Sequence, residues 1–226
     1  MKTTLVFENE GVLNPAAIRI DNDVHIFYRA VSSGNFSSIG YCRLSGPYTV
    51  TERFNHPVIF PEFPYELHGV EDPRIVKIED LYYLTYTAYD GVNALGALAI
   101  SKDLVVWKKF GIIVPQVTYK EFTRLAGSEI AKNEKYLYYN EHNRMLENQV
   151  DDVFLWDKNV IFFPRKINGK FCFFHRIKPD IQIVVSVNHL QELTTAFWQN
   201  YLLKLDDCIV LAPKYEHEQS YIGGGC

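Results

Sequence analysis

The chain has 226 residues, of which 47% are hydrophobic and 22% charged, with a formal net charge of −4. That length supports one sizeable core, and the negative balance excludes a polyanion-binding face spread over the molecule. No run approaches the roughly 18 apolar residues of a membrane span, and the opening MKTTLVFENE lacks a secretory apolar stretch. The expected setting is cytoplasmic, with neither membrane nor nucleic acid as a partner. Aromatic residues make up 15%, with 15 Tyr and 15 Phe, which tilts the chain toward β structure. Cys42, Cys172, Cys208 and Cys226 form no CxxC pair and have no His at zinc-finger spacing, so no metal site is expected. Cys42 and Cys172 lie in apolar runs and read as small buried thiols.

From Asn14 the pattern is strand, tight turn, strand: NPAAIRI, Asp21-Asn22-Asp23, then VHIFYRA. A Ser/Gly/Asn-rich loop is expected over 31–38, followed by strands at IGYCRL and TVTE. The segment 72–88, DPRIVKIEDLYYLTYTA, then repeats 14–30. At an offset of 58 residues Pro15 falls on Pro73, Ile20 on Ile78, Tyr28 on Tyr86 and Ala30 on Ala88. ALGALAIS and an outer strand around Trp107 complete the second unit. Over 117–150 the pattern degrades. There only Tyr136 to Tyr139 reads as a strand, among inserted loops or a short helix. It returns at Val160 with a hairpin turn at Asn168-Gly169. Leu190, Leu193, Phe197, Tyr201 and Leu205 stand at helical spacing and predict an amphipathic packing helix. Four short strands per repeat indicate an all-β chain, either a β-propeller or a sandwich of repeated hairpins. At about 40–60 residues per blade, one propeller domain over 1–226 holds three to four blades, so either the chain is a fragment or the ring closes in another way.

The polar groups cluster by repeat position. Gly69-Val70-Glu71-Asp72-Pro73-Arg74-Ile75 places two carboxylates and an arginine at a strand mouth, because Pro73 biases Asp72 to extended geometry. Strand alternation would send Asp72 and Arg74 to one face and Glu71 to the other. A structural ion pair holding a loop is the competing reading. Asn14, Asp72 and Lys158-Asn159 occupy equivalent strand starts, and Arg29 and His175-Arg176 equivalent places on the next strand. One acid with several cations suits an anion bound beside a neutral polyol, since guanidinium forks match phosphate oxygens. Arg124 and Arg144 read as surface residues, and Tyr65, Trp107 and Tyr221 as sugar platforms or core. Tyr221-Ile222 followed by three glycines suggests a close backbone approach.

GVEDPRI, the NP…FYRA opening, DKNVIFFPRKINGKFCFFHR and YIGGGC together resemble glycoside hydrolase family 130, the β-mannoside phosphorylases and related β-mannosidases. The resemblance runs from Val12 to Cys226, weakest over 117–150. It implies a five-bladed β-propeller, of which this chain lacks a C-terminal part, and inverting phosphorolysis of β-mannosides to α-mannose 1-phosphate. It makes Asp72 the acid, with the proton passing through a sugar hydroxyl. Asn14, Arg29, Glu71 and Arg74 fall on the sugar side, Arg74 mainly orienting the Asp72 loop. Lys158, His175 and Arg176 fall on the phosphate side. Inorganic phosphate is then a co-substrate and no cofactor is needed. A homo-oligomer is compatible, and hydrolysis or non-catalytic carbohydrate binding are the alternatives. To serve as the acid, Asp72 must hold a proton, so it is expected not to pair closely with Arg74.

Overall fold

The computed structural model describes residues 3–125, 130–148, 152–218 and 220–224. It is mostly β-sheet and comprises two compact units, one of Met1–Gly91 and Ala97–Gly111, the other of Val92–Gly96 and Ile112–Gly225.

The first unit opens with an antiparallel meander of β1 (Gly11–Ile20), β2 (Asp23–Ser32), β3 (Phe36–Ser45) and β4 (Thr49–Arg53). A second follows: β5 (Gly69–Ile78), β6 (Leu81–Tyr89), β7 (Ala94–Ser101) and β8 (Trp107–Ile112). The expected loop over 31–38 shrinks to Ser33–Asn35, because β2 and β3 stay in register up to Ser32 opposite Phe36. Gly34 and Asn35 reverse the chain at positive φ, 78° and 60°. Two-residue turns close β1–β2 and β5–β6, and each begins with an acid at positive φ, Asp21 (52°) and Glu79 (55°). The meanders meet through a parallel contact of Ser37 with Gly69. A side chain at Gly69 would collide with the Ser37 backbone, and its φ of 144° is one that glycine tolerates. Phe27, Tyr41, Leu84 and Tyr86 lie in the core, and Trp107 packs edge-on against Phe27 at 5.4 Å. Trp107 is partly buried and packs against that core. Tyr65 stacks on Phe63 at 5.2 Å.

In the second unit α1 (Tyr119–Leu125), α2 (Ile130–Tyr139) and α3 (Glu141–Arg144) precede β9 (Asp157–Phe162), β10 (Phe171–Ile177) and β11 (Ile181–Val187). The short α4 (Thr195–Leu202) and β12 (Ile209–Leu211) follow. The strand expected at Tyr136–Tyr139 is the end of a helix. Tyr136 packs edge-on against Phe122, and both are buried with Val153, Leu155 and Ile177. Packing between elements decides the matter here, because aromatic content alone favours a strand. The helix expected around Leu193 is confined to α4. Thr194 caps it, accepting a hydrogen bond from the Phe197 amide at 3.3 Å, and its buried residues are Trp198 and Leu202. The Asn168-Gly169 turn is present, with Ile167 and Lys170 exchanging backbone bonds at 2.9 and 3.0 Å. Cys172 is buried, whereas Cys42 is only half-buried. Cys226 lies outside the described residues. No helix among the described residues is long and apolar enough to cross a membrane.

Both meanders of the first unit bury the same polar arrangement. Tyr28 donates to Glu8 at 2.7 Å, and Arg53 reaches Glu8 at 2.9 Å. The offset of 58 brings Tyr86 onto Glu66 at 2.7 Å, with Lys109 bonded to Glu66 at 2.6 Å. Glu8 and Glu66 are fully buried, and a tyrosine hydroxyl and a cation satisfy each, joined by the Thr3 hydroxyl at Glu8 and the Glu62 and Phe63 amides at Glu66. Burial first, then the adjoining Glu66 charge, pushes the Tyr86 hydroxyl far above the ordinary tyrosine range. Burial, followed by the hydrogen bond to Glu8, does the same for Tyr28.

These protons set an alkaline limit. In the unfolded chain tyrosines ionise near pH 10, while folded Tyr28 and Tyr86 keep their protons. Their contribution is fully present below about pH 10 and declines above it, as the unfolded state sheds protons that the folded state retains. Absorbance at 295 nm is expected to show a block of tyrosines that ionise only as the fold is lost. Tyr86→Phe should shrink that block. Early, non-cooperative ionisation of all tyrosines would contradict the buried triads.

Candidate active site

Each meander begins with a strand that carries a bulge, and the bulged residue lies in the left-handed region. In β1 the register slips between Leu13 and Ala16, with Asn14 at φ 47°. In β5 it slips between Glu71 and Arg74, with Asp72 at φ 50°. In β9, Asn159 has φ 58°, and the pairing with β10 slips between Phe174 and Arg176. Asn and Asp tolerate this conformation better than most residues, and a bulge re-aims the side chain it carries. The bulge overturns the simple alternation expected for Asp72 and Arg74. Cross-strand register places Leu13 opposite Arg29, Glu71 opposite Thr87 and Lys158 opposite Arg176. Arg29, Thr87 and Arg176 therefore hold one repeat position, which agrees with the sequence matching.

In the first unit, two of these bulges meet. Asn14 Nδ2 donates to Asp72 Oδ1 at 2.6 Å. Arg29 donates through Nη2 to Glu71 Oε1 at 2.7 Å and through Nε to Ser37 Oγ at 2.8 Å, while its Nη1 lies 3.7 Å from Asp72 Oδ1. The side chains of Arg29, Glu71 and Asp72 are 13, 11 and 18% exposed, so the group is largely sheltered yet reachable. The short bond takes the guanidinium to Glu71, and Asp72 feels it only at longer range. Both contacts on Asp72 fall on Oδ1, which leaves Oδ2 for another partner. Arg74 donates to the Pro73 carbonyl at 2.8 Å and to the Asp72 carbonyl at 3.4 Å. It braces the loop backbone.

The second unit holds a cationic group around two rings. Lys158 Nζ lies 5.3 Å from the Trp156 ring centre, and the Arg176 guanidinium lies 4.6 Å from that of Tyr221. Lys178 Nζ lies 5.9 Å from Trp156 and 4.8 Å from Tyr221. The Trp156 indole donates to the Val92 carbonyl at 2.9 Å, which fixes the ring. Gly224 explains the glycine-rich segment: a Cβ there would sit 2.4 Å from Ile161 Cδ1. His175 departs from expectation. It is fully buried, with Nδ1 at 2.7 Å from Asp157 Oδ2 and Nε2 at 2.8 Å from the Tyr201 hydroxyl. With both ring nitrogens engaged it has no N–H to offer an anion directly, and in this geometry it ties strands to α4.

Sequence reasoning missed Trp156, Lys178 and the Glu8 and Glu66 triads. The offset that relates Tyr28 to Tyr86 also relates Glu8 to Glu66, so the triads were detectable from the repeat.

The profile of a family described as β-1,4-mannooligosaccharide phosphorylase matches residues 2–207. A β-1,2-mannobiose phosphorylase from Thermoanaerobacter sp. is 32% identical over 194 residues, covering 78% of this chain and 51% of that protein. A 1,2-β-oligomannan phosphorylase from the same source is 29% identical over 191 residues, covering 80% and 51%. The chain thus spans about half the length of the curated relatives it matches. In fold it is similar to the Listeria innocua β-1,2-mannobiose phosphorylase solved with β-1,2-mannobiose, at TM-score 0.55 and 18% identity, covering 80% of this chain and 56% of that one. A glycosyl hydrolase from Bacteroides ovatus gives TM-score 0.55 at 22% identity, covering 81% and 48%.

Arg29→Met would take the guanidinium away from the sheltered Glu71 carboxylate, and losing one partner of a buried pair costs on the order of 3 kcal/mol. Adding Glu71→Gln should recover most of that loss. Urea midpoints of the two single variants and the double variant test this. Additive losses would show that the pair carries no coupling.

Proposed function

The chain belongs to glycoside hydrolase family 130, and on that premise we propose that its protein is an inverting β-mannoside phosphorylase that uses inorganic phosphate. The observation that carries this reading is Asp72: a sheltered carboxylate re-aimed by a bulge, with Oδ1 held by Asn14 and Oδ2 spare. An acid in that position must keep its proton until the glycosidic bond breaks. The shorter contact of Arg29 is with Glu71, at 2.7 Å, against 3.7 Å to Asp72. The phosphorylases among the relatives support the reaction class, and the repeated four-stranded meanders support a propeller of the five-bladed family type.

In the reaction a phosphate oxygen forms a bond to the anomeric carbon of the mannosyl unit as the bond from that carbon to the leaving oxygen breaks. The Asp72 proton goes to the leaving oxygen, through a sugar hydroxyl. One displacement inverts the β-linkage to α-mannose 1-phosphate and releases the acceptor sugar. Phosphate needs no base to become a nucleophile, so one acid suffices, whereas an inverting hydrolase needs a second carboxylate to activate water. Asn14 and Arg29 serve the mannosyl side, with Glu71 and Arg74 holding their loop. Lys158 and Arg176 serve phosphate, as a point charge and a planar fork respectively. His175 acts behind them, fixing Asp157 on the strand that carries Lys158.

The native protein should convert β-linked mannobioses to α-mannose 1-phosphate only when phosphate is supplied. Asp72→Asn should lower the rate by about 10²- to 10⁴-fold, the usual share of a general acid. Release of free mannose at a rate indifferent to phosphate would replace this reading with hydrolysis.

A further inference from the structure

Lys178 belongs to none of the roles assigned above, yet its surroundings are unusual for a lysine. It lies one residue past the end of β10, with its Nζ over Trp156 on one side and Tyr221 on the other. Lys158 shares the first ring and Arg176 the second. Three cationic side chains thus gather on two aromatic faces. Ring quadrupoles attract cations but do not neutralise them, and Lys178 still feels the Arg176 and Lys158 charges. Among the described residues the Lys178 ammonium meets these two rings and no carboxylate. The nearest acids along the chain turn Oδ2 to other groups: Asp157 to His175, and Asp180 to Lys135 at 2.6 Å and Tyr136 at 2.8 Å. Burial, and then the Arg176 and Lys158 charges, hold Lys178 below the ordinary lysine range. Among the described residues no carboxylate offsets the Lys178 charge, and an anion brought to these rings would do so.

We propose that Lys178 is a third phosphate-holding cation, joining Lys158 and Arg176 above the Trp156 and Tyr221 rings, and that inorganic phosphate is the group they hold. The proposal rests on the phosphorolytic reading and adds to it a residue and an aromatic floor. The chemistry is complementary: the planar guanidinium spans two oxygens, and the two ammonium groups supply point charges that can follow the dianion.

The test compares the native protein with Lys178→Gln and Lys178→Arg, reading inorganic phosphate binding by calorimetry and the KM for phosphate and for mannobiose in turnover. Losing one charge-assisted hydrogen bond of this kind should weaken phosphate binding about tenfold or more. Lys178→Gln should therefore raise the Kd and KM for phosphate while the KM for mannobiose stays put, and Lys178→Arg should restore most of the loss. Lys77→Gln, which removes another ring-stacked lysine (over Tyr82 at 5.3 Å), should leave both phosphate constants unchanged. Phosphate constants unaltered in Lys178→Gln would overturn the proposal while leaving phosphorolysis standing. So would an equal rise in both KM values with a lowered melting temperature. Phosphate-independent turnover by an enzyme whose calorimetric phosphate binding still depends on Lys178 would overturn phosphorolysis and keep the anion site.

Discussion

A single backbone constraint governs how these meanders present their polar groups: one residue of the first strand must adopt positive φ. An L-residue pays for that conformation unless its side chain is short and polar, and Asn14, Asp72 and Asn159 all satisfy the condition. The bulge interrupts the ladder, turns the side chain out of strand alternation, and leaves a cross-strand neighbour beside it. That neighbour position is filled by Arg29 in the first meander and by Arg176 in the third. Polar chemistry therefore sits at a mechanically defined point of each repeat, supported by paired strands on either side.

Behind those points the sheets bury charge, which demands compensation. Glu8 and Glu66 each face a tyrosine and a cation, and the two sets are related by the repeat. A buried ion pair is weak evidence for net stability but strong evidence for a specified arrangement, since removing any one partner is costly. These triads fix β2 to the segment before β1, and β6 to the segment before β5. The third repeat solves the same problem differently. His175 stands where Tyr86 would, and its acid, Asp157, comes from the neighbouring strand β9.

Much of this was legible in the sequence because the repeat is strict. The offset from Pro15 to Pro73 predicts the strands, their turns and the shared place of Arg29, Thr87 and Arg176. The bulge was not legible: the Asp72-Pro73 dipeptide reads equally as extended backbone, and only the register reveals the slip. Of α1 to α3 only a short helix was legible, because Tyr136 and its neighbours have strand-like composition, and it is contact with Phe122 that decides their form. His175 was read as a ligand because its place in the repeat is polar; burial between Asp157 and Tyr201 depends on α4, whose docking no local pattern encodes. Lys178 escaped notice because its significance lies in two rings distant along the chain, Trp156 and Tyr221.

The contact between Asn14 and Asp72 also bears on how such a protein comes to specialise. Two copies of one motif face each other across 2.6 Å, identical in backbone form and different at the bulge only by an amide in place of a carboxyl. Two carboxylates so placed would repel one another as like charges. An amide facing a carboxylate instead gives one donor and one acceptor, so a single nitrogen in place of an oxygen separates a repelling pair from a hydrogen-bonded one.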